Sequence, residues 1–510
     1  MQSQLPILII ITPLLFAFIN AVVGWFRPVY SVFITILAMA LSFYFSVQML
    51  ALVISDGTIE YVLSGWTAPY GIEYVVDHLN GMVLVVVSFV ALLVAIYSKR
   101  GVDKELGDKV AHFYTLFLLL TTGLLGITIT GDAFNLYVLL EISALSSYAL
   151  IALGRGRAYM ATFNYLIMGT IGACFYLLGV GYLLIKAGTL NMQDLSAIIP
   201  TMHMSQAILV AFVFIIVGFL IKMALFPLHG WLPNAYTYAP TATSCLIAPL
   251  MTKVSVYVMA RIMFSVFSAE YVFEVIQWQP IIMGLAVVSI IAGSFYALAQ
   301  KDLKKMLTYL IVAEVGYMVG GLWLGNWQGF TGSIYHILAD ALMTSCLFMA
   351  IGNIIFVQGH ATLDSIKGIF KRMPLTMVGF LIGAVSMIGV PPTCGFFSKW
   401  YLIGGAFEAG QWHFLVALLF SSLINAILFF RIIEIGFFSA LPSETPKLDH
   451  HDDSEAVVQK NGLLTMEAPL SMVIPLLIMS SMLIMVGIYN NQIISTVIRM
   501  VIPSGLTSIL

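Results

Sequence analysis

Residues 220–236, LIKMALFPLHGWLPNAY, set a lysine and two prolines inside an apolar run. A proline lacks an N–H and displaces the carbonyl four residues earlier, so Pro227 leaves the Met223 carbonyl in need of another partner. A second string, SMIGVPPTCGFFSKWYL at 386–402, repeats the device: Pro391 and Pro392 strand the carbonyls of Met387 and Ile388, and Gly395 and Lys399 follow. Backbone unwound at membrane depth is tolerated only where it is buried in protein or lines a water-filled cavity, and paired interruptions point to a transport path. These two stretches therefore predict interrupted membrane helices, the seventh and twelfth spans, around an interior route.

Working outward, the 510 residues are 61% hydrophobic and 9% charged with a net charge of −2, and the mean hydropathy is +1.01. Soluble domains carry about 25% charged residues, so no water-facing surface of this size could be covered. Near-neutral charge also argues against a nucleic-acid partner. Apolar runs fall at 5–24, 29–50, 79–97, 112–130, 133–153, 159–186, 206–232, 240–267, 278–299, 306–324, 329–357, 375–405, 413–438 and 469–488. This predicts an all-α polytopic membrane protein of about 14 transmembrane helices. A β-barrel is excluded, because the runs are continuously apolar and do not alternate. The chain divides into 1–110 with helices 1–3, 111–267 with helices 4–8, 278–438 with helices 9–13, and 439–510 with a cytoplasmic linker and helix 14.

Lysine and arginine set the orientation. With the N-terminus outside, the inside loops hold Arg27, Lys99, Arg100, Lys104, Lys109, Arg155, Arg157, Lys301, Lys304, Lys305, Lys367, Lys371, Arg372, Lys447 and Lys460, against Lys186 and Arg499 outside. The positive-inside rule thus places both termini on the outer side. The first span has no basic region before it and reads as a retained helix. Cys174, Cys245, Cys346 and Cys394 lie in apolar runs and read as small fillers, with no metal or cofactor ligation. The His450-His451-Asp452-Asp453 cluster reads as part of a solvated acidic linker in preference to a metal site.

Charges inside the spans carry the functional signal. Lys222, Lys253, Lys399, Glu141, Glu314 and Asp340 fall well within spans, while Arg261, Arg431 and Glu434 sit nearer span ends. A charge at a helix centre costs about 2.5–3.5 kcal/mol on insertion scales. Such groups face the interior and mark an ion or proton path; the alternative is a set of ion pairs fixing helix register, and the size and recurrence of this set favour the path. Burial disfavours a charged form and an opposite charge nearby restores it, so a Lys–Glu pair whose separation changes takes up and releases a proton. His229 follows the first break, and His336 shares a helical face with Asp340 and Thr344. Neighbouring lysines and carboxylates favour relay over packing for both histidines. His78, beside Asp77, reads either as part of an outer exit or as an exposed loop residue. Setting span seven against span twelve places Lys222 opposite Lys399, and the same offset places Glu141 opposite Glu314. An odd offset means opposite membrane orientation, an inverted repeat.

Several strings go beyond spacing: GDAFNLYVLLEISALSSYAL at 131–150, FPLHGWLPNAYTYAPTATS at 226–244, KVSVYVMAR at 253–261, AQKDLKKMLTYL at 299–310 and PPTCGFFSKWYL at 391–402. Over about residues 75–435 the chain resembles the antiporter-like subunits shared by Mrp-type cation/proton antiporters, respiratory complex I and membrane-bound hydrogenases, with the Mrp D subunit the nearest in motif. The resemblance implies two inverted five-helix repeats, spans four to eight and nine to thirteen. It implies Glu141 as the carboxylate paired with Lys222, Lys253 as the connecting lysine, His229 and His336 on a hydrated axis, and Lys399 as the terminal proton-exchange lysine. Asp340, Glu314, Arg431 and Glu434 are secondary candidates. Two departures stand out: Asp340 and Thr344 occupy span eleven where many relatives carry a lysine or second histidine, and Glu314 is an acid where relatives commonly have an uncharged polar residue.

The implied function is a proton-translocating subunit of a multisubunit Na+/H+ antiporter in a bacterial or archaeal plasma membrane. The alternative is the proton-pumping membrane subunit of a redox-driven complex. Either way the resemblance implies no cofactor and no catalytic chemistry of its own. The implied partners are sibling membrane subunits, the lipid bilayer, protons and sodium.

Overall fold

The computed structural model describes residues 4–438 and 466–506, apart from the side chain of Ser504. The His450–Asp453 cluster lies outside the described residues. In chain order the first unit comprises α1 (Leu5–Phe26), α2 (Ser31–Asp56), strands β1 (Ile59–Val62) and β2 (Glu73–Val76), and α3 (His78–Leu106). Next come α4 (Val110–Ile129), α5 (Ala133–Ala152), α6 (Arg157–Ala187), the short α7 (Met192–Ile198), α8 (Gln206–Lys222), α9 (Leu232–Tyr238) and α10 (Thr241–Arg261). The rest is α11 (Gln279–Leu298), α12 (Leu303–Leu322), α13 (Trp327–Gln358), α14 (Ile369–Arg372), α15 (Pro374–Ile388), α16 (Cys394–Glu408), α17 (Trp412–Phe438), α18 (Leu470–Ile488) and α19 (Asn490–Ile493).

Eleven helical stretches among the described residues are long and apolar enough to cross a membrane, one of them being the 52-residue run His78–Ile129. That run is α3 followed by α4, and the pairs α8/α9 and α15/α16 are each broken in the middle. Taking α3 and α4 separately and each broken pair as one traverse gives the fourteen segments expected. The helices sort by depth: 83–94% of the apolar windows of α10, α12 and α13 are buried, against 33–44% for α1, α2, α6, α11 and α17. Interior charges therefore have to come from the first group or from helices packed on it.

Three features differ from the hydropathy reading. The α2–α3 connection is a two-stranded antiparallel hairpin with Ile59 opposite Val76, tied down where the Gly131 amide donates to the Glu73 carbonyl (2.9 Å). Helix α3 continues through Lys99, Arg100 and Lys104, a polar extension that a hydropathy window cannot register as helix. The eighth span ends as regular α-helix at Arg261 and runs on as a wider π-turn, Ile262–Val266.

Both interruptions have the same local construction. Ala224 (φ 61°) follows α8 and Gly389 (φ 94°) follows α15. In each, the next amide donates five residues back, Leu225 to the Leu220 carbonyl and Val390 to the Val385 carbonyl, both 3.1 Å. This is the left-handed helix stop that meets otherwise orphaned carbonyls. A second matched pair lies at helix starts. Asp132 caps α5 through the Asn135 amide (2.7 Å) and Asp302 caps α12 through the Lys305 amide (2.9 Å). Each also forms an antiparallel bridge with the segment that follows the next long helix, Asp132 with Asn191 after α6 and Asp302 with Thr362 after α13.

Candidate ion-translocation site

Lys222 is the last residue of α8, so the break presents its ammonium beside Glu141 of α5. Nζ and Oε1 stand 3.6 Å apart, close enough for an ion pair and too long for a hydrogen bond. Neither atom has a hydrogen-bond partner, and Glu141 is 25% exposed. A cavity of about 10 Å³ lies against Lys222, Ser143 and Ser255, near the lower bound for holding one water. Met251 and Val254 of α10 also line it, which brings the space to the turn that carries Lys253.

Lys253 of α10 meets Asp340 of α13 at 2.9 Å, both essentially without solvent contact. Thr344 Oγ1 donates to Asp340 (2.7 Å), as the shared helical face requires, and the Ala248 carbonyl accepts from Lys253 (3.2 Å). One turn before Asp340, His336 places Nε2 2.6 Å from Glu314 of α12 and Nδ1 2.9 Å from Ser398 of α16, all fully buried. Asp340 and Glu314 each thus meet a partner, Lys253 and His336 respectively.

Lys399 follows Ser398 on α16 and has a different environment. Its Nζ donates to the Met387 carbonyl (2.7 Å), the Ile388 carbonyl (3.3 Å) and Ser422 Oγ (3.2 Å), and lies 5.3 Å from the Tyr317 ring centre. The carbonyls stranded by Pro391 and Pro392 are therefore met by the lysine beyond the break. At the first break the Ile221 carbonyl accepts from Trp231 Nε1 (3.1 Å) instead. Lys222 precedes its break and Lys399 follows its own, and Glu314 lies one turn further along α12 than Glu141 along α5. The two spans correspond as elements; their charges do not correspond position by position.

His229 sits in the first interruption among aromatic rings, stacked on Phe226 (4.9 Å between centres) and near Tyr296 and Tyr309. Among the described residues it joins no ion pair. Arg431 and Glu434 are exposed on α17 and stand apart from the interior line. Arg261 forms a two-pronged pair with Asp77 (2.6 and 2.8 Å), and Asp77 also caps α3. Among the described residues no three metal-ligating side chains converge.

Sequence reasoning misses Ser398, and it places Lys304 in a loop. Lys304 is buried, with Nζ on the carbonyl of Ala239, the residue closing α9 (2.7 Å). Glu105 of α3 accepts from the Thr241 amide at the start of α10 (2.9 Å). Charges from α12 and α3 thereby cap both sides of one joint. A cavity of about 380 Å³ opens there, lined by Glu105, Arg155, Asp302, Lys304 and His360. At the other end of the bundle, cavities of about 220 and 290 Å³ flank Arg261.

A multi-pass helical bundle with two broken helices and a buried succession of ion pairs defines a class, the proton-translocating antiporter-like membrane subunits. The chain belongs to one family of that class: residues 130–425 match the family described as NADH:quinone oxidoreductase/Mrp antiporter, TM. It is 42% identical over 508 residues, 99% of both chains, to the NADH-quinone oxidoreductase N subunit of Desulforudis audaxviator (strain MP104C). It is 32% identical to the Na(+)/H(+) antiporter D subunit of Bacillus subtilis (strain 168), covering 76% of this chain and 78% of that one. Among solved structures, a chain of the membrane-bound sulfane sulfur reductase, an archaeal respiratory membrane complex, superposes with a TM-score of 0.87 at 28% identity over 99% and 98% of the chains. A chain of the Mrp complex from Dietzia sp. DQ12-45-1b shares the fold, with a TM-score of 0.84 at 23% identity over 97% and 96%.

Proposed function

We propose that this chain moves protons along the line Glu141–Lys222, Lys253–Asp340, His336–Glu314 and Lys399, as one member of a redox-driven membrane complex. The observation that carries the relay is the Lys253–Asp340 pair, which joins α10, packed beside the first broken helix, to α13, packed against the second, with almost no solvent contact. The Glu141–Lys222 contact is the loose member, lacking a hydrogen bond. It is the natural place for a neighbouring subunit to open and close a pair, and such a pair takes up and releases a proton as it does so. His229, in the first break, is assigned to the same path as a hydrated-axis residue.

Full-length similarity at 42% identity to an N subunit of NADH-quinone oxidoreductase supports a redox-driven parent over a sodium/proton antiporter, which the motif resemblance places first. The antiporter reading keeps its own support, 32% identity to an antiporter D subunit. Sibling membrane subunits are partners under both readings, and the proteins that co-purify with the chain decide between them. In the orientation we propose, both termini lie outside. The 380 Å³ cavity then opens to the lysine-rich cytoplasmic face and the cavities beside Arg261 to the outer one.

The relay is tested in reconstituted vesicles of the parent complex. Glu141→Ala, Lys222→Ala and Lys399→Ala are each expected to abolish proton flux while assembly is retained. Normal flux in Lys222→Ala overturns the relay.

A further inference from the structure

His336 and Lys399 sit on different helices with no hydrogen bond between them among the described residues, so a third group has to couple the charge of one to the other. Ser398 Oγ lies 2.9 Å from His336 Nδ1 and 3.0 Å from the carbonyl of Gly395, in the first turn of α16. A serine hydroxyl has one proton to give. When the imidazole carries both protons, Nε2–H faces Glu314 and Nδ1–H donates to Ser398, whose own proton is free for the Gly395 carbonyl. When the ring is neutral with its remaining N–H on Glu314, Nδ1 is a bare acceptor, and the serine proton has to turn from Gly395 to the ring. Ser398, His336 and Glu314 are all fully buried, where a donor or acceptor left unmet is strongly disfavoured. The hydroxyl therefore has two settings, selected by the proton on His336.

The consequence falls on the second break. The Gly395 amide approaches Ser386 Oγ of α15 (3.4 Å), and Lys399 reaches back from the next turn to the Met387 and Ile388 carbonyls. A change at the Gly395 carbonyl acts on the turn that sets Lys399 against those acceptors. We propose that Ser398 is a positioning residue that transmits the protonation of His336 to the half-helix carrying Lys399. The inference rests on the relay reading above.

The charged and titratable groups around His336 are few. Helix α12 supplies Glu314 and Tyr317 (ring centres 5.6 Å apart), α16 supplies Lys399, α10 supplies Lys253, and Asp340 lies one turn along its own helix. The sequences of α15 and α18 contain no charged residue, and α3 has its charges only near its ends.

The test uses the reconstituted parent complex, with proton flux measured across pH. Ser398→Ala is expected to reduce flux roughly tenfold, the worth of one hydrogen bond to a charged group, and to displace the midpoint of the flux–pH curve by about one unit. Ser398→Thr, which keeps the hydroxyl, is expected to restore both. Should Ser398→Ala fail to assemble, Ser398→Thr is compared with Ser398→Val, which matches its shape without the hydroxyl, and only the former is expected to keep the wild-type midpoint. Wild-type flux and midpoint in Ser398→Ala, or equal behaviour of the Thr and Val variants, overturns the proposal. Failure of the relay itself registers separately, as flux surviving in Lys222→Ala and Lys399→Ala.

Discussion

Asp340→Asn removes one charge from an ion pair that has almost no solvent contact. At 2.9 Å and an effective dielectric constant of about 20, the gross attraction is about 6 kcal/mol. Much of it offsets the desolvation of the two groups, and stripping one partner from a buried pair costs about 3–5 kcal/mol because the other is left unpaired. Lys253 would keep neutral acceptors alone, the amide oxygen that replaces the carboxylate, the Ala248 carbonyl and Thr344. The purified complex carrying Asp340→Asn should therefore denature earlier than wild type, and its proton flux should fall with altered pH or sodium dependence. Replacing both residues by apolar ones, Lys253→Met with Asp340→Leu, removes the unpaired charge and is expected to recover stability without recovering flux. Denaturant midpoints and dye-monitored flux in vesicles provide the two readouts. By contrast the Glu141–Lys222 pair, longer and partly exposed, should show a coupling energy screened toward about 1 kcal/mol in a double-mutant cycle. If Asp340→Asn keeps wild-type flux with unchanged pH and sodium profiles, the pair is structural and the line of transfer drawn through α10 and α13 is wrong.

Other perturbations address the frame around the line. A Cβ on Gly487 of α18 would collide with the Pro392 carbonyl oxygen and the Thr393 backbone at the second break, and backbone cannot rotate away. Gly487→Ala should therefore lower stability by about 1–3 kcal/mol and depress proton flux with every charged residue intact, as thermal denaturation and vesicle assays would register. Arg261→Lys loses the two-pronged grip on Asp77. It should cost about 1.5 kcal/mol, seen as a lower melting temperature of the complex, whereas equal stability of the two forms would mean the fork geometry contributes nothing.

Legibility in the sequence follows the range of the physics involved. Proline acts on the carbonyl four residues back, so the stranded Met387 and Ile388 carbonyls are readable from the string, and Lys399 is what meets them. Helical spacing is equally local, which is why Asp340 and Thr344 bond as their separation suggests. Countercharges are another matter. The Lys253–Asp340 and His336–Glu314 pairs depend on how α10, α12 and α13 pack, and nothing in a hydropathy profile encodes that. The same limit holds at His229, where the sequence shows a lysine nearby and only the packing shows the rings of Phe226, Tyr296 and Tyr309 around it. Arg431 and Glu434 are drawn inward by their place in an apolar run, yet they lie on the exposed side of α17. Lys304 reads as a loop charge because its string is polar, while its long side chain reaches a buried carbonyl.

That last contact bears on how far the two halves are separable. Lys304 of α12 holds the end of α9, while Glu105 of α3 holds the start of α10. A chimera that exchanges residues 278–438 between relatives would swap the lysine without the carbonyl it grips. Grafts made at the apparent boundary should misalign the first broken helix, and a cut that carries 237–241 together with 302–304 is the one expected to preserve it. The joint ties α3, α9, α10 and α12 together, so that a substitution at Ala239, Pro240 or Thr241 is felt from two directions at once.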